Sequence, residues 1–142
     1  MNSAILDTSV VIKWLHRENE EDVDKALLLR EAYLHGALDV SIPDLLIYEF
    51  SNFLCYRSGL KPAEIMDLAR GFWSFGFNVY PVTEAMTQSM LELALEHGIS
   101  VYDAAFVALA NRLSSSLVTA DRALYKKVRD RHAVMLLADI IE

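Results

Sequence analysis

The sequence predicts an α/β fold built on a parallel sheet, and three observations carry that prediction. Short apolar runs of strand length alternate along the chain with segments of helical periodicity. Strands separated by helices are joined by crossovers, which is how neighbouring parallel strands connect. Size agrees: 142 residues, 54% of them hydrophobic, make one domain that buries roughly 70% of its unfolded surface.

The elements follow in order. Ser3 to Leu6 (SAIL) reads as a short buried strand, and Thr8 to His16 as a short helix. A polar-faced helix runs from Glu20 to Leu34 and ends near Gly36, and LDVSI (Leu38 to Ile42) is the second strand. Pro43 suits the first turn of a helix that runs to Arg57, with Gly59 as its stop. Pro62 opens a helix through Phe75, closed by Gly76, and Phe77 to Val82 is the third strand. Thr83 and Glu84 begin a helix to His97, with Gly98 beyond its end. Ser100 is the expected N-cap of a helix from Val101 to Leu113. SLVT (Ser116 to Thr119), Arg122 to Arg129, and Ala133 to Leu137 complete the chain as strand, helix and fifth strand. No repeat, low-complexity tract or linker interrupts it, so residues 1–142 read as a single domain.

Composition excludes several classes. Cys55 is the only cysteine, which rules out an internal disulfide and suits a reducing cytosol; a buried helical position is expected for it. Apolar runs such as Leu45 to Ile47 are too short to span a bilayer. The start, MNSAILDTSVVIKWLH, has no basic n-region and no small-residue cleavage site, so a cytoplasmic location is expected. The net charge of −7 argues against a broad basic surface for duplex binding. Arg122, Lys126, Lys127, Arg129 and Arg131 cluster near the C-terminus, either as a solvated helix face or as a phosphate contact. His16, His35, His97 and His132 lack metal-ligand spacing and read as surface or helix-end residues. There is no Gly-rich phosphate loop and no G-x-S-x-G elbow.

The chemistry-bearing residues are acids. Asp7 follows the first strand directly, and Asp121 trails the fourth by one residue. In open α/β sheets ligands bind beyond the carboxyl ends of the strands, where strand order reverses. Each aspartate also reads as a helix N-cap. Asp103 lies in SVYD, a capping-box pattern with Ser100, yet it shares a helix side with Phe106, Val107 and Ala110. Ala104, Ala108, Asn111 and Arg112 are the expected solvent face of that helix. Glu49 has no capping role; it flanks the apolar arc of DLLIYEFSNFLCY beside Phe53. It is either a snorkelling surface residue or a ligand oriented by Asn52 and Tyr56 on the same stripe. If the acids converge, like charges about 4 Å apart cost roughly 4 kcal/mol at an effective dielectric of 20. Then either their pKa values rise or cations fill the site. Oxygen donors without Cys or His favour Mg²⁺ or Mn²⁺ over Zn²⁺.

The set LDTSVVIKWL, PDLLIYEFSNFL, VYDAAFVALA and LVTADRAL closely resembles the PIN domain, in particular the single-domain VapC-type toxins of prokaryotic toxin–antitoxin pairs. The resemblance covers nearly the whole chain, with the four motifs in order. It implies a five-stranded parallel sheet in the order 3-2-1-4-5, which would make the first and fourth strands neighbours and bring Asp7 and Asp121 together. It implies that Asp7, Glu49, Asp103 and Asp121 are an acidic quartet binding Mg²⁺ or Mn²⁺. Thr8 and Thr119 match positions where the family often carries hydroxyls. The implied activity is metal-dependent hydrolysis of RNA phosphodiester bonds. A homodimer and an inhibiting antitoxin protein, reaching the acidic cleft with Arg or Lys, are the implied partners. The acidic net charge departs from the more basic character of many RNA-cleaving relatives.

Two competing functions differ in class. A PIN fold kept only for binding RNA or a protein would bind metal without turnover. A phosphoacceptor signalling domain would need an acceptor Asp after the third strand and a Lys after the fifth; Pro81 and Val82, and Leu137 to Asp139, stand there instead. Phe72, Trp73 and Phe75 read as core, or else as an exposed apolar surface for a partner.

Overall fold

Strand β1 (Ser3–Leu6) is the middle of the sheet, and its sequence says why: Ala4, Ile5 and Leu6 are covered on both faces and at most 1% exposed. β2 (Asp39–Pro43) and β4 (Ser116–Thr119) flank it, and β3 (Asn78–Tyr80) and β5 (Val134–Leu136) are the edges. The order is β3-β2-β1-β4-β5, with every pairing parallel. Ile5 sits opposite Ser41 on one side and Leu117 on the other, which fixes the register of the centre. The structure is a computed structural model and describes residues 1–141.

The crossovers are helical: α1 (Thr8–Leu15), α2 (Val23–Leu34), α3 (Leu45–Tyr56), α4 (Pro62–Ser74), α5 (Glu84–His97), α6 (Val101–Arg112) and α7 (Arg122–Val128). A short 3₁₀ turn, Leu137–Asp139, follows β5. Helix α6 lies across β1, β2 and β4 with α5 packed on it, while α1 packs on β1 and β4 and is backed by α2, α3 and α4. The corner between α5 and α6 is tight, at 115°. Gly98, at φ 63°, ends α5 in the left-handed region, and Ser100 starts α6 by accepting the Asp103 N–H at 3.0 Å. Among the described residues no single helix is long and apolar enough to cross a membrane.

Several expectations are corrected. Pro43 is the last residue of β2, opposite Tyr80, and does not open the next helix. Its missing N–H is tolerated at that end because the Asp44 N–H takes the Tyr80 carbonyl at 3.0 Å. Helix α2 begins at Val23 rather than Glu20, because Asn19 and Asp22 turn the chain at positive φ. Ala104 and Ala108 are 0% and 3% exposed; α5 covers the side of α6 expected to face solvent, leaving Asn111 and Arg112 outside. Cys55 is exposed, not buried. His16 stands at the helix end of α1 as expected, there buried against the Ser58 carbonyl at 3.2 Å. Of the aromatic trio, Phe72 is core and stacks on Phe50, whereas Trp73 is 60% exposed.

Candidate active site

Asp7 stands where β1 leaves the sheet. Its N–H extends the ladder to the Val118 carbonyl at 3.0 Å, and its side chain then caps α1 by accepting the Thr8 N–H at 2.9 Å. The other carboxylate oxygen accepts two hydroxyls, Ser9 Oγ and Thr119 Oγ1, each at 2.8 Å. Both hydroxyls also serve the neighbouring turn. Thr119 Oγ1 accepts the Asp121 N–H at 3.0 Å, and Ser9 Oγ accepts the Ala120 N–H at 3.1 Å. The β1–α1 and β4–α7 turns are thereby laced together through Asp7, at the reversal of strand order.

The remaining acids arrive from three helices. Asp121 caps α7, with Oδ1 accepting the Ala123 and Leu124 N–H groups at 2.9 and 3.1 Å. Glu49, half-buried on α3, accepts the Thr8 hydroxyl at 2.7 Å. Asp103 lies in the first turn of α6 and is half-buried.

Electrostatics shows that the four belong to one place. Burial pushes the Asp7 carboxyl up to about 6; the Thr119 and Ser9 hydroxyls oppose the rise, and the charges of Asp103 and Glu49 add to it. Glu49 is raised chiefly by burial and further by Asp103, with the Thr8 hydroxyl and the Arg57 charge acting against this. Asp103 is raised by burial and by Asp121, and moderated by Ser100 and Lys127. Asp7, Glu49 and Asp103 are thus each raised in part by another acid, and Asp121 is the one that acts on Asp103.

The quartet is not a closed cage. Among the described residues, no three His, Cys, Asp or Glu side chains stand close enough together to hold one ion. The hydrogen bonds are consistent with that spacing, because Asp7 and Asp121 hold donors from their own turns and Glu49 is engaged by the Thr8 hydroxyl of α1. The donor set nevertheless fits a hard divalent cation. Four carboxylates and flanking hydroxyls supply only oxygen, and Asp7, Glu49 and Asp103 are raised first by burial and then by the charge of a neighbouring acid.

Of the residues expected at a site, Asp7, Glu49, Asp103, Asp121, Thr8 and Thr119 are brought together. Asn52 is not: it is exposed on α3, Tyr56 beside it is 79% exposed, and Thr8 is the residue that orients Glu49. Sequence reading missed Ser9. Its signal was a hydroxyl two residues beyond an aspartate, a spacing that lets the side chain fold back. Arg57, the basic neighbour of Glu49, was also missed, and Lys127, read only as one of a C-terminal basic cluster, proves to be the neighbour of Asp103; each comes from an element end brought near by packing.

The PIN domain family model matches residues 4–130. The chain is 30% identical over 129 residues to Ribonuclease VapC3 of Pyrobaculum aerophilum, covering 87% of this chain and 92% of that protein. Among solved structures it resembles FitAB bound to an IR36 DNA fragment, with TM-score 0.73 at 17% identity over 98% of each chain. It also resembles DNA-bound VapBC from Salmonella typhimurium, with TM-score 0.71 at 15% identity over 96% of this chain and 99% of that one.

Proposed function

The chain belongs to the PIN domain family, and on that premise we propose that it is a metal-dependent endoribonuclease, the toxin of a VapC-type toxin–antitoxin pair. The observation that carries this reading is the gathering of acids beyond the carboxyl ends of β1 and β4, where Asp7, Glu49 and Asp103 are raised by burial and by one another's charges and Asp121 acts on Asp103. The sequence likeness to a ribonuclease of the VapC type supports it.

In this reading Asp7, Asp103 and Asp121 would hold Mg²⁺ or Mn²⁺, drawing closer than they stand here, and such a cation would supply Lewis-acid polarisation of the scissile phosphodiester. Asp7, fixed by three hydrogen bonds, is the rigid anchor of the set. Glu49 positions the attacking water and takes its proton. Because Thr8 occupies Oε1, the proton goes to Oε2. The raised pKa of Glu49 suits that role, since a carboxylate closer to neutrality is a better base than an unperturbed one. Tyr48 and Tyr102, 73% and 60% exposed, immediately precede Glu49 and Asp103 and offer ring faces to unpaired bases of a single strand.

The proposed partners are a second copy of the chain and an antitoxin whose Arg or Lys enters the acidic site. The likeness to FitAB and VapBC structures supports an antitoxin. An RNA substrate agrees with a cytoplasmic location.

The test is cleavage of a mixed RNA pool with Mg²⁺, Mn²⁺ or EDTA, wild type beside Asp103→Asn. Cleavage should need the metal and disappear in the variant. Metal binding without turnover in the wild type would instead favour a non-catalytic binding module. Equal cleavage by wild type and variant would remove the quartet from the mechanism.

A further inference from the structure

A mostly apolar pocket of about 360 Å³ opens beside the acidic site, on the same carboxyl edge of the sheet. It lies beyond the ends of β2 and β3, between the first turns of α3 and α6 and the first half of α5. Met86 and Ala105, 7% and 4% exposed, are its buried wall, and the exposed Tyr48 and Tyr102 line its open side. These two tyrosines immediately precede Glu49 and Asp103, so the pocket and the carboxylates share two helical segments. The volume falls at the small end of the range for small-molecule sites, about 300–1,000 Å³.

Among the described residues, Asp44 is the one charged group that lines the pocket. It holds the N-cap position of α3 yet its side chain caps nothing, and its backbone explains this. At φ −59° and ψ −24° Asp44 is already helical, whereas Asp7 and Asp121, which do reach their helix N–H groups, are extended. Its own N–H is held by the Tyr80 carbonyl at 3.0 Å, so the residue is fixed in place while its carboxylate stays free of the helix. A carboxylate among apolar walls is costly to cover with anything that brings no donor. That disfavours an apolar helix of a second copy as the occupant and favours a flat ring with N–H groups along one edge.

We propose that this pocket takes one unpaired base of the RNA strand beside the scissile phosphate and selects guanine through Asp44. The inference rests on the nuclease reading for the strand and adds to it the residue that reads sequence. The rings of Tyr48 and Tyr102 supply stacking faces, which accept any base. Discrimination falls to Asp44, whose ionised carboxylate only accepts. Guanine presents its N1–H and N2 amino group side by side and so satisfies both carboxylate oxygens. Adenine and cytosine each present one amino group beside a bare ring nitrogen, whose lone pair the carboxylate repels. Uracil presents a single N–H between two carbonyls and is rejected most.

The test reads binding rather than cleavage. The 3′-labelled pentanucleotides UUGUU, UUAUU, UUCUU and UUUUU are titrated by fluorescence anisotropy, with Mg²⁺, into full-length Glu49→Gln, which on the proposed mechanism binds RNA without cutting it. UUGUU should bind roughly 5–150-fold more tightly than UUUUU, with the other two between. Adding Asp44→Asn should abolish that preference. Adding Tyr102→Ala should instead weaken all four strands alike, by roughly 5–150-fold, and keep their order. Neither change removes a fold contact of weight, because the Asp44 side chain caps nothing and Tyr102 is 60% exposed. Equal binding of the four strands, no binding of any, or a guanine preference that survives Asp44→Asn overturns the proposal. So does sedimentation in which Tyr102→Ala separates a dimer while RNA affinity is unchanged, which gives the pocket to a second copy. The nuclease reading fails separately, if the wild type leaves a mixed RNA pool uncut.

Discussion

Asp7 and Asp121 occupy the same kind of place, just past a strand and capping the next helix, yet their surroundings differ. Asp7 is 7% exposed and titrates near 6, whereas Asp121 is exposed. A folded pKa raised from 3.8 means that the native state holds the proton more tightly than the unfolded chain does. The contribution is fully present below the unfolded value and is lost as pH rises through about 6. The shift corresponds to about 3 kcal/mol. In EDTA, stability from urea melts should therefore decline between pH 4 and pH 6 in wild type, and this component should vanish in Asp7→Asn. The same variant should remain folded and lose cleavage of RNA. Thr119→Val tests the lacing. It removes a donor to Asp7 and leaves the Asp121 N–H without its acceptor, at a cost of about 1–3 kcal/mol. The Asp7 carboxyl should also titrate higher in that variant, followed by carboxyl NMR.

Helix α6 shows what an element can and cannot declare about itself. Its start was legible because Ser100 is a good N-cap residue and Gly98 takes, without strain, the left-handed conformation that ends the preceding helix. Ser100→Ala should cost about 1 kcal/mol in a denaturant melt and loosen the turn that carries Asp103. Its buried face was not legible. Ala104 to Ala110 are all buried, because the sheet takes one side and α5 the other, so no amphipathic stripe survives to be read. Ala108→Leu should therefore destabilise by about 1–3 kcal/mol through overpacking, although a small residue on a supposed solvent face would suggest tolerance. Pro43 failed as a helix-start signal for a related reason: the same fixed φ also suits the end of a strand, and only the pairing with Tyr80 distinguishes the two.

Across the molecule, the β1–β4 neighbour relation gathers acids that lie far apart in sequence, and the aromatic core supports it from behind. Trp14 packs against Tyr33, Phe75 and Phe77 at 5.2–5.9 Å, tying α1 to residues beside α4 and β3. Trp14→Ala should cost about 3–5 kcal/mol in urea melts. Since Trp14 is remote from the quartet in its contacts, cleavage by the folded fraction should persist. Mg²⁺ or Mn²⁺ should raise the thermal midpoint, and more so at pH 7.5 than at pH 5. Asp7 must release a proton to serve as a ligand, and the release is easier above about 6. A midpoint indifferent to both cations would argue against the quartet as their site.

By itself the sequence determined the strands, the helices and their order. Those follow from local rules of periodicity, capping and glycine stops, which act over a few residues. It also placed Asp7, Asp103 and Asp121 at element ends, since a carboxylate after a strand or in a first helical turn is a local arrangement. Only the tertiary structure decided which of these acids meet, that Thr8 rather than Asn52 steadies Glu49, and that Ser9 joins the site. The pairing of His97 with His132 was settled there too. Each of these depends on strand order and on which helix covers which face. Contacts of that kind form between segments distant in the chain, and no local pattern encodes them.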